Sequence, residues 1–141
     1  MSTPPHATTI EDLITALHHA MNAHDLEGLV ACFSEKLVSE QPAHPDRAFT
    51  GTDQMRRNWT PTFKSVPDFK AELLRHAIAV DTVWSEWRWH GTHMDGRALD
   101  FRGVIILRVE ADRIVQATLY MEPVQAGAGI DAFVRSVTGA Q

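Results

Sequence analysis

FKAELLRHAIAVDTVWSEWRWHGTHMDGRALDFRGVIILRVEADRIVQATLYMEPV, residues 69–124, alternates apolar and polar side chains through most of its length. A period of two predicts strands, because successive side chains then point to opposite faces of a sheet. Four long strands are expected, Phe69–Val80, Thr82–His90, Arg97–Val109 and Arg113–Val124. The breaks carry turn chemistry: Val80-Asp81, Met94-Asp95-Gly96 and Glu110-Ala111-Asp112. Connections this short join neighbouring strands, so the four form an antiparallel meander.

Upstream of this block the period is helical. Thr9 followed by Asp12 reads as a capping box, and Ile10, Leu13, Leu17, Ala20 and Met21 give the helix behind it one apolar face. Asn22-Ala23-His24 ends that helix. Asp25 caps a second, short one with Leu26, Leu29, Val30 and Phe33 on its apolar side. Leu37–Pro42 is a brief strand stopped by the loop Pro42–Pro45. Gly51-Thr52 opens a third helix, Asp53–Lys64, that buries Met55, Trp59 and Phe63. Downstream, Ile130, Phe133, Val134 and Val137 recur at helical spacing in the tail and predict a short helix. Helices first and strands afterwards define an α+β chain, and 141 residues suit a single domain spanning 1–141, with its core at 9–124.

Composition narrows the function classes. The net charge is -5 with Lys and Arg scattered, which argues against a nucleic-acid or anionic-membrane partner. Cys32 is the only cysteine, so an internal disulfide and a multi-cysteine metal site are excluded. Within Leu29-Val30-Ala31-Cys32-Phe33 it reads as a small buried hydrophobe. Met1–His6 shows no basic region followed by an apolar one, and no apolar run approaches membrane-spanning length, so a cytoplasmic location is expected.

Several strings in this order have a family likeness: Asn22-Ala23-His24-Asp25-Leu26-Glu27-Gly28 between two helices; Phe49-Thr50-Gly51 before a helix holding Trp59; Trp87-Arg88-Trp89-His90-Gly91-Thr92-His93 at a strand end; and Asp112-Arg113-Ile114 leading to Tyr120-Met121-Glu122-Pro123. Over residues 9–124 the chain resembles SnoaL-like members of the NTF2-like (cone-barrel) superfamily. The resemblance implies three N-terminal helices on a strongly curved antiparallel sheet, an apolar pocket on the concave side, and a homodimer through the convex side. It further implies a small hydrophobic organic ligand and cofactor-free acid/base chemistry of the cyclase, isomerase, dehydratase or hydrolase type. A non-catalytic ligand-binding or dimerisation module of the same fold is the alternative, since one fold hosts many functions.

Parity selects the pocket residues. In the strand around Trp87 the set Val83, Ser85, Trp87 and Trp89 is more apolar than Trp84, Glu86, Arg88 and His90, so it is placed inward. In the next strand, alignment with the family places Asp100, Arg102, Val104 and Ile106 inward, although the opposite set is more apolar. Three resolutions stand open: Asp100 pairs with Arg102, Arg102 awaits an acidic or carbonyl ligand, or the parity is inverted. In the last strand the same alignment places Ala117, Leu119 and Met121 inward. On the resemblance, Asp100 and Arg102 are the candidate catalytic pair. Arg102 holds developing negative charge, and Asp100 orients it or acts as base. Gln41, Asn58, Trp59, Trp87, Trp89, Val104 and Met121 are the candidate ligand-binding residues.

Known chemistries of the fold test poorly against these positions. The base of a ketosteroid isomerase falls on Gln41, its tyrosine near Leu17 and its acid near Val104; an amide cannot abstract a carbon-bound proton. The arginine of a limonene-epoxide hydrolase matches Arg102, but its two aspartates fall near Val104 and Leu119. A SnoaL-type aspartate–histidine pair would join Asp100 to His18, His19, His44 or His93. His90, His93 and Asp95 cluster at a strand end but read as solvated turn residues, so no metal is expected.

Overall fold

The computed structural model describes residues 9–139. Met1–His6, where no leader was expected, lies outside the described residues. Helix α1, Ile10–Ala23, starts at the expected capping box: the Asp12 backbone N–H donates to Thr9 Oγ1 and the Thr9 N–H donates back to Asp12 Oδ2. Its apolar face, including Ile14, Leu17 and Met21, is buried. His24 closes it in the left-handed conformation (φ 54°). Asp25 then caps α2, Leu26–Ala31, by accepting the Gly28 N–H. Phe33 belongs not to this helix but to strand β1, Phe33–Glu40. That strand is longer than Leu37–Pro42 because its start, Phe33, pairs with Ile114, and an irregularity before Val38 hides the alternation. A 3₁₀ turn, Pro45–Arg47, and the two-residue strand β2, Phe49–Thr50, lead to α3, Thr52–Ser65.

The four strands of the meander are β3 (Lys70–Ala79), β4 (Thr82–Thr92), β5 (Ala98–Glu110) and β6 (Arg113–Pro123). The expected tail helix is α4, Ile130–Thr138. The sheet runs β2-β1-β6-β5-β4-β3, antiparallel throughout except for the parallel β1–β6 pair. Among the described residues no helix is long and apolar enough to cross a membrane.

The inner face of the sheet and the apolar faces of α1, α2 and α3 share one core. Cross-strand partners lie on the same face, so the register fixes parity. Trp87 pairs with Gly103, which pairs with Met121; Trp89 pairs with Phe101; Val83 pairs with Leu107, which pairs with Ala117. Trp87 is fully buried (0%), and its indole N–H donates to Ser85 Oγ, whose hydroxyl donates to the Ile105 carbonyl. The edge strand is stitched to α1. Asn22 accepts the Ala71 N–H and, with His18, donates to the Ala71 carbonyl, while His24 donates to the Phe69 carbonyl. Carbonyls only accept, so Nε2 carries the proton in both histidines.

Candidate functional site

Where β4, β5 and β6 curve away from α1 and α3, a cavity of about 280 Å³ remains between sheet and helices. Its deep end is walled by Leu29, Trp87 and Leu107, all essentially buried. Toward the other end the lining residues Trp59, Trp89, Leu99, Phe101 and Leu119 are only partly buried and Asn58 is exposed, which marks that end as the open one. Trp59 meets Trp89 edge to face at 5.3 Å between ring centroids and Phe69 at 5.5 Å. Trp89 Nε1 is buried without a hydrogen-bond acceptor among the described residues. Four neutral polar side chains interrupt this lining: Ser39 buried, Gln41 and Thr62 half-buried, Asn58 exposed. Gln41 Oε1 accepts from Arg47 Nη1 (3.1 Å), and Asn58 Oδ1 accepts from Gln54 Nε2 (2.8 Å), which leaves each amide NH₂ available.

Among the described residues no Asp, Glu, His, Lys or Arg lines the cavity. The expectation that Asp100, Arg102 and Val104 face inward is therefore corrected. Trp87 is inward and Gly103 is its cross-strand partner, so the inner β5 set is Leu99, Phe101, Gly103, Ile105 and Leu107. Asp100, Arg102, Val104 and Ile106 lie on the outer face. There Asp100 does not pair with Arg102. Its carboxylate accepts from Arg88 (3.1 Å), which holds its pKa below the usual aspartate range, while Arg102 sits 3.7 Å from Glu86. Glu72 lies 3.5 Å from Arg88 and 2.8 Å from His90 Nε2, the latter contact not aligned as a hydrogen bond. The outer surface of β3–β5 is thus a lattice of alternating charges.

Of the other expected ligand-binding residues, Gln41, Asn58, Trp59, Trp87 and Trp89 line the cavity. Met121 points inward as expected but packs in the core and is no part of the wall. Leu17, Gln41 and Leu119, at the positions where the chemistries of the fold place acid/base groups, are all on the wall. Among the described residues no histidine meets Asp100's carboxylate through a hydrogen bond: His18 bonds a backbone carbonyl, and His44 sits 2.8 Å from Glu122. Asp95 is engaged by Arg97, and no group of His, Cys, Asp or Glu among the described residues is arranged to hold a metal ion. Burial raises the Cys32 thiol to about 11, so it is inert. Sequence reading missed Ser39, Thr62, Leu99 and Phe101 on the wall. Ser39 shares the parity of Gln41, and Phe101 is the cross-strand partner of Trp89, so face counting across strands would have found both.

This arrangement of helices against a curved sheet around a hollow recurs in solved structures. IdmH from Streptomyces antibioticus, a candidate polyketide cyclase, superposes with a TM-score of 0.68 at 24% identity, over 79% of this chain and 91% of that one. AclR from Streptomyces galilaeus, a candidate hydroxylase, gives 0.68 at 21% identity over 79% and 87%. A hypothetical protein of ketosteroid isomerase-like fold from Catenulispora acidiphila DSM 44928, solved with trimethylamine, gives 0.67 at 17% over 78% and 85%. At such identities these likenesses establish the fold. No curated protein matches the sequence. The SnoaL-like domain family matches residues 14–117, most of the described chain, and the protein belongs to that family.

Proposed function

We propose that the protein binds one compact, flat, uncharged organic molecule in the cavity, and that the wall contributes shape and neutral hydrogen bonds in place of an acid or base. The observation that carries this reading is the lining itself, in which every side chain among the described residues is apolar or neutral. An ionised group placed there would lose its hydration and gain no counter-charge. A volume of about 280 Å³ sits just under the roughly 300–1,000 Å³ common for small-molecule sites, which favours a compact guest. Gln41 and Asn58, each with a free NH₂, favour a carbonyl or ether oxygen at the open end. IdmH is described as a candidate polyketide cyclase. A comparable reaction here would rest on holding a chain in a reactive shape.

Fluorescence titration with the neutral probe N-phenyl-1-naphthylamine tests the reading. Saturable one-to-one binding is expected, weakened about tenfold in Trp59→Ala by loss of a buried aromatic contact. Arg102→Ala and Asp100→Asn should bind as the parent does. Absence of saturable binding, or equal loss in Arg102→Ala, would sink it.

We also propose that the outer sheet face joins two copies. Trp84 (51% exposed) and Tyr120 (43% exposed) flank Val104 and Ile106 there, beside the alternating charges Arg75, Glu86 and Arg102. A surface with both signs interspersed around an apolar band can complement itself across a two-fold axis. Sedimentation equilibrium should give a dimer, and Trp84→Glu with Tyr120→Glu a folded monomer; a monomeric parent rejects the proposal.

A further inference from the structure

Helix α4 presents Ile130, Phe133, Val134 and Val137 at i, i+3, i+4 and i+7, a single apolar stripe. The four are 71%, 61%, 45% and 66% exposed, and no residue of the helix is buried. Nine residues are too few to hold a helix in water without a surface to pack on. The stripe therefore lacks its partner in this conformation.

The place where the chain leaves the sheet points to that partner. The Val124 N–H donates to the Asp100 carbonyl (2.9 Å), and Pro123 pairs with Phe101. The linker thus departs between Leu99 and Phe101, at the half-exposed end of the cavity. It runs Val124-Gln125-Ala126-Gly127-Ala128-Gly129, uncharged, with Gly129 at φ 95°, a conformation side chains resist. Six residues reach up to ~20 Å, and the nine-residue helix is ~14 Å long. On the outer side of the sheet the ground nearest the linker is charged, Asp100, Arg102 and Glu122, and ill suited to an apolar stripe; the apolar band beyond it, around Val104 and Tyr120, is the face proposed above to join two copies. On the inner side it is Trp59, Trp89, Leu99 and Phe101.

We propose that α4 is a lid: its apolar stripe folds over the open end of its own cavity, onto Trp59, Trp89, Leu99 and Phe101, and the structure captures it open. Lowering the helix would cover both the stripe and the rim, and would separate a guest from water. The neutral linker supplies the hinge.

Cysteine cross-linking tests this without any ligand. Asn58→Cys, on the rim, is combined in turn with Phe133→Cys, Val134→Cys and Val137→Cys in the full chain; Cys32 is buried and stays silent. Oxidation at low micromolar protein should give a cross-linked monomer on a non-reducing gel for at least one pair. Asn58→Cys with Arg135→Cys, on the opposite side of the helix, should give none. A cross-linked dimer would assign the stripe to a second copy and overturn the lid, as would no cross-link in any pair. A second measurement rests on the proposed binding function: release of N-phenyl-1-naphthylamine should be about tenfold faster from Phe133→Asp and from a chain ending at Val124. Equal release rates overturn the lid, whereas failure of the parent to bind the probe rejects the binding function and leaves the cross-links to judge the lid.

Discussion

Ser85 is a polar side chain that the centre of the sheet's inner face requires. It is 1% exposed, and its hydroxyl both accepts the Trp87 indole N–H (2.8 Å) and donates to the Ile105 carbonyl (2.7 Å). Without it the largest buried side chain would carry an orphaned donor. Ser85→Ala should therefore lower the unfolding free energy by about 1–3 kcal/mol, the cost of an unpaired buried donor. Urea denaturation followed by tryptophan fluorescence measures it, and a loss too small to resolve would mean the indole finds another acceptor. Gly103 serves the same floor by omission. A Cβ there would lie 1.9 Å from the Tyr120 carbonyl oxygen, so β5 and β6 can approach this closely only without one. At the far end of the sheet Val80 is 95% exposed with φ 58°, a conformation that a β-branched residue adopts only under strain.

At the scale of elements, the strands were legible because their period of two is strong, and their bounds fall within a few residues of those expected. The inner face of β4 was legible too, from the contrast between Trp87 and Arg88. The face of β5 was legible in the same terms, since Leu99, Phe101, Ile105 and Leu107 outweigh Asp100 and Arg102 in apolar character. Alignment to the family overrode that pattern by one residue, and one residue inverts every side chain. The start of β1 was not legible, because its irregularity before Val38 erases alternation. Turns and strands are also joined by carboxylates. Asp68 accepts the Thr92 N–H and ties the start of β3 to the end of β4; Asp95 accepts from Arg97 in the β4–β5 turn; Asp100 accepts from Arg88; Glu27 accepts from Arg56. Each has its pKa lowered, first by the hydrogen bond it accepts. The unfolded chain therefore takes up protons at higher pH than the folded one. Stability conferred by these groups is fully present above the ordinary carboxylate range near pH ~4 and drains away as pH falls through the lowered values. Urea midpoints should hold level from pH 7 to 5 and decline below about pH 4; a midpoint that stays level or rises on acidification would contradict this.

For the whole molecule, the cavity belongs to no single segment. Its wall takes Leu17 from α1, Ser39 from β1, Trp59 from α3 and Phe101 from β5. A linear reading could identify each segment and still leave open which side chains converge. Trp59, Trp87 and Trp89 were recoverable because each carries its own local signal of helical face or parity, whereas Gln41 was reached through the family's base position and Asn58 only as the neighbour of Trp59. The neutrality of the wall follows from the apolar contrast on β5, and the register of β4 on β5 carries it.

The parallel seam between β1 and β6 has a consequence for how the hollow comes into being. Every other pairing in the meander joins neighbours in the chain, whereas Ser39 must find Ala117 across more than half the length of the protein. Closing so large a loop is slow relative to forming hairpins. The hairpins should thus exist first as an open tray, and the receptacle should be completed only when the first strand docks on the last. Pulsed deuterium labelling during refolding would then protect amides of Val83 and Leu107 ahead of those of Leu37 and Ser39. Simultaneous protection would mean that tray and receptacle arise together.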